Sequence, residues 1–474
     1  MNNNLERYNK IVWISIDALR ADAIRVNKDK LFTKEYKITT RLKKSKLDEI
    51  CNNSCFFNNT ISAAPYTSTS HSSYFTGLWP KNHGVYDQIN SKLKAKTIFE
   101  IVKNKGYTTL FKTDFPFILG KSLEITNKGI DNYYIEDNEK PLKELTKHNK
   151  VFAFFHFGQV HYPYGFHNLK IGGKDYKKKV TELEKEYKIQ SKKVCLKDML
   201  TETFRTQEDL KYLYRYKTII EYLYSNKKDS DLFNLYLEGI NRFHEKIFNK
   251  FLDKLLKKLS NDKYLIIISA DHGEAWNDHT YGHYNSLDEG VIRVPLMFFA
   301  KDIPPKVYKN RVRTIDVFPT LIQELFGQKL KIDGKSLSNI IYNNKSEPHR
   351  MAFASIWMHN LKDITKAVKN ISKNKKLITK PNSAMKFAAT LYSENYKLLV
   401  NYKSFGNRGK TIIDNNRKEL FKINSSTEMH KIHSITLSNT LEKKLNIINK
   451  LGKYKKNDPT KTMRKYFNLL GYKI

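Results

Sequence analysis

Cysteine is scarce. Only Cys51, Cys55 and Cys195 occur in 474 residues, which excludes a disulfide framework. Cys51 and Cys55 could form half of a metal site, but no second half lies nearby, so two reduced thiols are the simpler reading. A reducing compartment follows, and the cytoplasm is the expected location. Long apolar runs are also missing. The opening MNNNLERYNK has no apolar h-region, so no signal peptide is expected. Runs such as Val151 to Phe157 are far too short to span a bilayer, so no transmembrane segment is expected either. Acidic residues are outnumbered, with Asp+Glu at 48 against Lys+Arg at 85 and a net charge of +37. Such a balance favours anionic partners. The basic residues are spread along the whole chain rather than clustered in one arm. A general bias towards Lys and Asn explains them, and no specific nucleic-acid partner is predicted.

The chain is long enough for one large α/β unit and a smaller one. Hydrophobic residues at 40% and charged residues at 28% suit a packed globular protein. Ile11 to Ile16, Val151 to Phe157 and Tyr264 to Ile268 are short apolar runs that read as buried parallel strands. Each runs into polar residues. Asp17 follows the first, Gly158 to Tyr164 the second, and Ser269-Ala270-Asp271-His272-Gly273-Glu274 the third. Open α/β sheets bind ligands at the carboxyl ends of their strands. Taken alone, Asp17 is as well read as an N-cap for a following helix. Adjacent Asp271 and His272 can offer a metal one oxygen and one nitrogen. A spacing of three and four at Ile240, Phe243, Ile247, Phe251 and Leu255 predicts a helix packed on the sheet. Thr97 to Lys105 reads as a helix closed by Gly106, followed by a strand at Tyr107 to Lys112.

Residues 61 to 86, ISAAPYTSTSHSSYFTGLWPKNHGVY, carry the chemistry. Six hydroxyls, those of Thr67, Ser68, Thr69, Ser70, Ser72 and Ser73, flank His71. The first half reads as a loop, and the Ser-rich end can open a helix. A hydroxyl at a helix start meets unpaired backbone N–H groups that suit an anionic ester. It can act as a nucleophile if a metal or base lowers its pKa. Composition alone favours a Ser/Thr-rich surface loop.

The order of these residues resembles the nucleophile segment of the sulfatases, in the wider alkaline phosphatase superfamily. That segment runs Cys or Ser, any residue, Pro, Ser, Arg, then on to Thr-Gly. Here Thr67-Ser68-Thr69-Ser70-His71 stands in that place, with Thr76-Gly77 at the matching distance. Thr67 replaces the residue that becomes formylglycine, so that aldehyde cannot form. Threonine nucleophiles occur in branches of the superfamily that act on phosphate esters. Ile16-Asp17-Ala18-Leu19-Arg20-Ala21-Asp22 resembles the first family motif, whose leading Asp binds metal. Many relatives have a second aspartate where this chain has Ala18, which leaves one oxygen ligand fewer. Ser269 to Glu274 resembles the Ser/Thr-x-Asp-His-Gly-Glu motif, whose Asp and His bind metal.

The resemblance covers about residues 10 to 430. It implies an α/β fold with a central mixed, largely parallel sheet flanked by helices, and a smaller C-terminal α+β subdomain. The expected division is a catalytic domain over 9–340, with a helical insertion at 167–230, and a subdomain over 341–474 with a basic helical tail. Within the subdomain, Phe387 to Leu391, Tyr396 to Leu399 and Glu419 to Ile423 read as antiparallel strands. The implied metal ligands are Asp17, Thr67, Asp271 and His272, around one divalent ion: zinc, manganese, magnesium or calcium. A second ion is not expected, because Phe157 stands where two-metal relatives place an aspartate four residues before His161. Thr67 is the implied nucleophile, and His71, His161 and His283 the groups that meet the ester oxygens or the leaving group. His156 reads as a core or supporting residue.

The expected activity is metal-dependent hydrolysis of a sulfate or phosphate ester, the ester being an anion such as a sulfated or phosphorylated glycan. A transferase moving a phosphoethanolamine- or phosphoglycerol-type group onto a glycan is the second reading. A non-catalytic binder of anionic polymers is the third.

Overall fold

The computed structural model describes residues 7–32, 35–86, 92–166, 173–189, 207–277, 280–283, 286–343, 345–357, 387–405, 411–412, 417–425 and 428–449. Cys195, parts of the 167–230 insertion and the tail from 450 lie outside them.

The strands, in chain order, are β1 (Lys10–Ile16), β2 (Cys55–Ile61), β3 (Thr108–Thr113), β4 (Asn132–Ile135), β5 (Val151–Phe157), β6 (Tyr264–Ser269), β7 (Ala275–Asn277), β8 (Thr280–Gly282), β9 (Arg293–Phe299), β10 (Lys306–Tyr308) and β11 (Val312–Arg313). Nine of them form one sheet in the order β10-β2-β9-β6-β1-β5-β3-β4, with β11 also on β2. Strand β1 runs parallel to both neighbours, β5 and β6, and only β9 runs antiparallel to the strands beside it. The sheet is thus mixed and largely parallel.

Every residue of β1 is buried because helices cover both faces. Side chains alternate between those faces. Ile11 and Trp13 join a cluster with Phe75, Phe99 and Phe154. Val12, Ile14 and Ile16 join the other, with Phe243, Phe251 and Leu255. The helix read from the 240–255 spacing is present as Asp229–Phe243 and Asn249–Leu259, joined by a π-type turn at His244–Phe248. That wider turn absorbs the drift of the apolar stripe, so Phe243, Phe248 and Phe251 all face the sheet.

Helices Lys174–Glu186 and Gln207–Ser225 occupy the described part of the insertion. Thr97 caps the helix Ile98–Lys103 through a reciprocal pair with Glu100. Gly106, at φ +83°, lets the chain leave that turn.

A second, antiparallel sheet follows. It contains β12 (Ala352–Trp357), β13 (Phe387–Ser393), β14 (Tyr396–Phe405), β15 (Thr411–Ile412), β16 (Arg417–Ser425) and β17 (Glu428–Ile432). Ala354, Ile356, Ala388 and Tyr392 pack against Ile61, Ala64, Tyr66 and Val291 of the first unit. The helix Ile435–Asn449 lays Leu441, Leu445 and Ile448 on the other face, beside Leu391 and Val400.

Parallel register brings the site together. Ile16 lies opposite Phe157 on β5, and Ser15 opposite Ser269 on β6. Three chain exits, at Asp17, Gly158 and Ala270, therefore open at one edge of the sheet.

Candidate active site

Asp17 leaves β1 with its backbone N–H donated to Phe157 O (2.9 Å). The next residue, Ala18, is left-handed at φ 60°. A side chain there costs on the order of 1–3 kcal/mol, so the surroundings must hold it. The Tyr236 hydroxyl donates to Ala18 O (2.8 Å) and accepts from Arg20 N–H (3.0 Å). Ala18 N–H in turn points to Asp271 Oδ1 (3.3 Å).

The helix Thr67–Thr76 begins on Thr67 itself. Its residues are all buried, so a segment polar enough for a surface loop lies inside the protein. Most of the hydroxyls find partners inside the protein. Those of Ser72 and Thr76 donate to carbonyls one turn back, Ser68 O and Ser72 O, both at 2.7 Å. Ser62 Oγ and Ser70 Oγ each lie 2.6 Å from Asp271 O, and Tyr74 OH donates to Ala270 O (3.0 Å). One face of the helix thereby clamps the turn after β6. Thr67 Oγ1 donates to Asp17 Oδ2 (3.1 Å).

Asp17, Asp271 and His272 converge, each offering a ligand atom within 4.8 Å of the others. His272 Nδ1–H donates to Gly273 O (3.0 Å), which leaves Nε2 with its lone pair inward. Nε2 stands 3.5 Å from Asp17 Oδ1 and 3.4 Å from Asp271 Oδ2. These three atoms are buried and have no hydrogen-bond partner among the described residues. Leaving three such atoms unpaired is costly. Burial, then the charge of Asp17, pushes the Asp271 carboxyl up to about 6. Burial also raises Asp17. His272 is held down to about 3 by burial, then by His283. A divalent cation removes both difficulties, since it pairs the orphaned atoms and favours the ionised carboxylates. Two oxygens and one nitrogen, with the Thr67 hydroxyl beside them, fit such an ion and do not choose among zinc, manganese, magnesium and calcium.

A second group, His272, Glu274 and His283, also has metal-ligating character. Glu274 is already engaged there. One oxygen pairs with His283 Nδ1 and the other accepts from Tyr164 OH (2.9 Å). The His283 ring stacks on His272 with centroids 4.1 Å apart, and His161 meets His283 edge-on at 5.0 Å. His161 Nδ1 bonds Tyr162 O (2.9 Å), so its Nε2 is the nitrogen available to a ligand.

His71 lies beside the same centre, with Nδ1 3.7 Å from Asp271 Oδ2, but its nitrogens are engaged. Its Nδ1–H donates to Thr67 O (2.8 Å), and its Nε2 accepts from Ser15 Oγ (2.9 Å). The ring packs against Phe75 and Phe154, and burial lowers it to about 4. Both nitrogens are spent within the protein. Gln159 caps Asp114 (2.9 Å), together with Gly158 N–H (3.0 Å).

Sequence reasoning missed Ser62, Tyr164 and Glu274 as supports of the site. Ser62 and Tyr164 meet Asp271 O and Glu274 across 209 and 110 residues, which no local pattern marks, whereas Glu274 lies in the Ser269–Glu274 motif and meets His283 only nine residues on. His156 did carry a signal, as a polar residue inside the otherwise apolar VFAFFHF.

Buried Asp, Asp, His and Thr side chains gather at the carboxyl edge of a mixed sheet, in an alkaline phosphatase-like fold. The chain belongs to the sulfatase family, whose profile, described as Sulfatase, matches residues 9–327. A choline-sulfatase of Rhizobium meliloti (strain 1021) is 29% identical over 126 residues, 25% of this chain. The match spans about a quarter, 24%, of that relative's length. BT4656, solved with its substrate D-glucosamine-2-N,6-O-disulfate, has a similar structure at TM-score 0.59 and 14% identity, over 97% of this chain and 98% of its own. The phosphonate monoester hydrolase of Agrobacterium radiobacter has a TM-score of 0.57 and 14% identity, over 93% and 95%. No helix among the described residues is long and apolar enough to cross a membrane.

Proposed function

We propose that this chain is a metal-dependent hydrolase of sulfate or phosphate esters, with Thr67 as nucleophile and Asp17, Thr67, Asp271 and His272 as ligands of one divalent ion. The observation that carries the reading is the placement of Thr67 Oγ1. It is 3.1 Å from Asp17, at the first turn of a helix, beside three buried ligand atoms without partners.

A divalent ion held there would lower the pKa of the Thr67 hydroxyl and take up charge from the ester oxygens. The rest falls to side chains. Asp17 Oδ2 accepts the Thr67 hydrogen and aims Oγ1. The helix start favours an anion at that point. Thr67 Oγ1 forms a bond to sulfur or phosphorus in line, and the bond from that atom to the leaving oxygen breaks. His161 or His283 supplies the proton that the leaving alcohol takes up. Water then attacks sulfur or phosphorus and gives a proton back to that histidine, while Thr67 leaves, regains its proton from Asp17, and sulfate or phosphate is released. Glu274 and Tyr164 hold the His283 ring in place. His71 is tied to Thr67 O and Ser15 and orients the first helical turn, without touching the ester.

A sulfated or phosphorylated sugar suits the net charge of +37 and the disulfated glucosamine bound by the structural relative. Because Thr67 cannot yield formylglycine, phosphate esters should be turned over at least as well as sulfate esters. Cys51 and Cys55 are buried free thiols, each pushed up to about 12 by burial, in keeping with a cytoplasmic location. The test is a panel of chromogenic sulfate, phosphate monoester, phosphate diester and phosphonate substrates, run beside elemental analysis. A protein inert on every ester, yet tightly bound to anionic polymer, would overturn the reading.

A further inference from the structure

His156 is fully buried on β5 and takes no part in the hydrolysis described above. Its hydrogen bonds form a directed chain. Phe115 N–H donates to Thr113 Oγ1 (2.9 Å), and that hydroxyl spends its own hydrogen on His156 Nδ1 (3.4 Å). The carboxylate of Asp17 accepts from Nε2 through Oδ2 (3.1 Å), which places the proton of the neutral ring there and leaves Nδ1 to accept from Thr113. Beneath the ring, Lys112 Nζ donates to His156 O (2.8 Å) and pairs with Asp114 (2.7 Å). His71 and Phe115 close on the imidazole, with ring centroids 5.4 and 5.1 Å away.

Asp17 Oδ2 therefore accepts from two donors, His156 Nε2–H and Thr67 Oγ1–H. Its other oxygen, Oδ1, has no hydrogen-bond partner among the described residues and stands toward His272 Nε2. The two donors differ in one respect. When Thr67 gives up its proton, its hydrogen bond to Oδ2 goes with it. The donor from His156 stays and keeps the carboxylate from turning over. We propose that His156 is a positioning residue, which sets the divalent-cation affinity of the Asp17–Asp271–His272 centre by fixing which oxygen of Asp17 faces it. The inference rests on the metal-site reading above. Hydrogen-bonded partners of ligands typically change metal affinity by about 10- to 100-fold when removed.

The experiment titrates chelator-stripped protein with Mn²⁺, Zn²⁺, Mg²⁺ and Ca²⁺ separately, by calorimetry, with folding followed by circular dichroism. His156→Leu should weaken binding of the preferred ion by about 10- to 100-fold. His156→Gln, whose amide nitrogen can occupy the place of Nε2, should recover most of that loss. A rescue by the donor alone is not expected of a purely packing role. A folded His156→Leu protein with wild-type affinity, or a folded His156→Gln protein as weak as the leucine variant, overturns the proposal. Wild-type protein that takes up none of the four ions overturns the metal-site reading, and this inference with it. If His156→Leu does not fold, Thr113→Val serves, because it removes only the hydroxyl that orders the ring. It should weaken binding several-fold, and unchanged affinity then overturns the role assigned to His156.

Discussion

Thr67 Oγ1 and Asp17 Oδ2 are joined by a 3.1 Å hydrogen bond across 50 residues of sequence. The bond links the first turn of a buried helix to the end of β1. It puts a hydroxyl and a carboxylate together where a hydroxyl alone would be unreactive.

Thr67→Ala should reduce turnover of a chromogenic phosphate ester on the order of 10³-fold or more. Thr67→Ser should keep part of the activity, because the hydroxyl remains and only a methyl is lost. Steady-state kinetics of the three proteins decide this. A Thr67→Ala enzyme as fast as the parent would move the nucleophile to another hydroxyl or to water.

Asp271→Ala should lose the bound ion while keeping the fold. The carboxylate sits beyond the strand end, and burial with Asp17 already disfavours its charge when no cation is near. Elemental analysis of purified mutant and parent is the measurement. Full occupancy in the mutant would remove Asp271 from the ligand set.

Phe154→Ala should destabilise the protein by about 3–5 kcal/mol. Phe154 lies between Phe111 and Phe75, with ring centroids at 4.8 and 5.1 Å, and also meets Trp13 at 5.9 Å. The denaturation midpoint in urea should fall accordingly. A shift worth under about 1 kcal/mol would mean the cluster is less tightly packed than these contacts indicate.

His83 makes stability depend on acidity. Its Nδ1 accepts from Val85 N–H (3.1 Å) and its Nε2–H donates to Ser73 Oγ (2.9 Å), so the fold holds the neutral ring. Burial lowers it from 6.5 to about 3. Between those values the unfolded chain binds the proton and the folded chain does not. Stability must therefore fall as pH drops from about 6.5 towards 3, by roughly 1 kcal/mol per unit from this residue. His83→Gln should flatten that part of the profile, read from denaturant midpoints between pH 6.5 and 4.5. An unchanged slope would show that other groups govern the acid limb.

Much of this was legible in the chain. Three short β-branched or aromatic runs, each followed by a polar break, marked β1, β5 and β6, because a strand covered on both faces has nowhere to place a charge. Asp17 and the Asp271-His272 pair stood out at the ends of such runs. Other features had no local signature. The Ser-rich segment reads as a surface loop until the helix is seen to be buried, with the Ser72 and Thr76 hydroxyls bonded to its own carbonyls and Ser70 to Asp271 O. His71 looked like a group for the ester, yet both its nitrogens are taken by Thr67 O and Ser15 Oγ. The residue types, their order and the strand-end positions were determined by the sequence itself. Which nitrogen of each histidine faces the centre, and which oxygen of Asp17 is left without a partner, was decided only by the tertiary structure. Those outcomes depend on His156, brought to about 3 Å from Asp17 by the parallel register of β1 and β5, and on Tyr236 and Thr67, brought as close by helices packed at the strand ends.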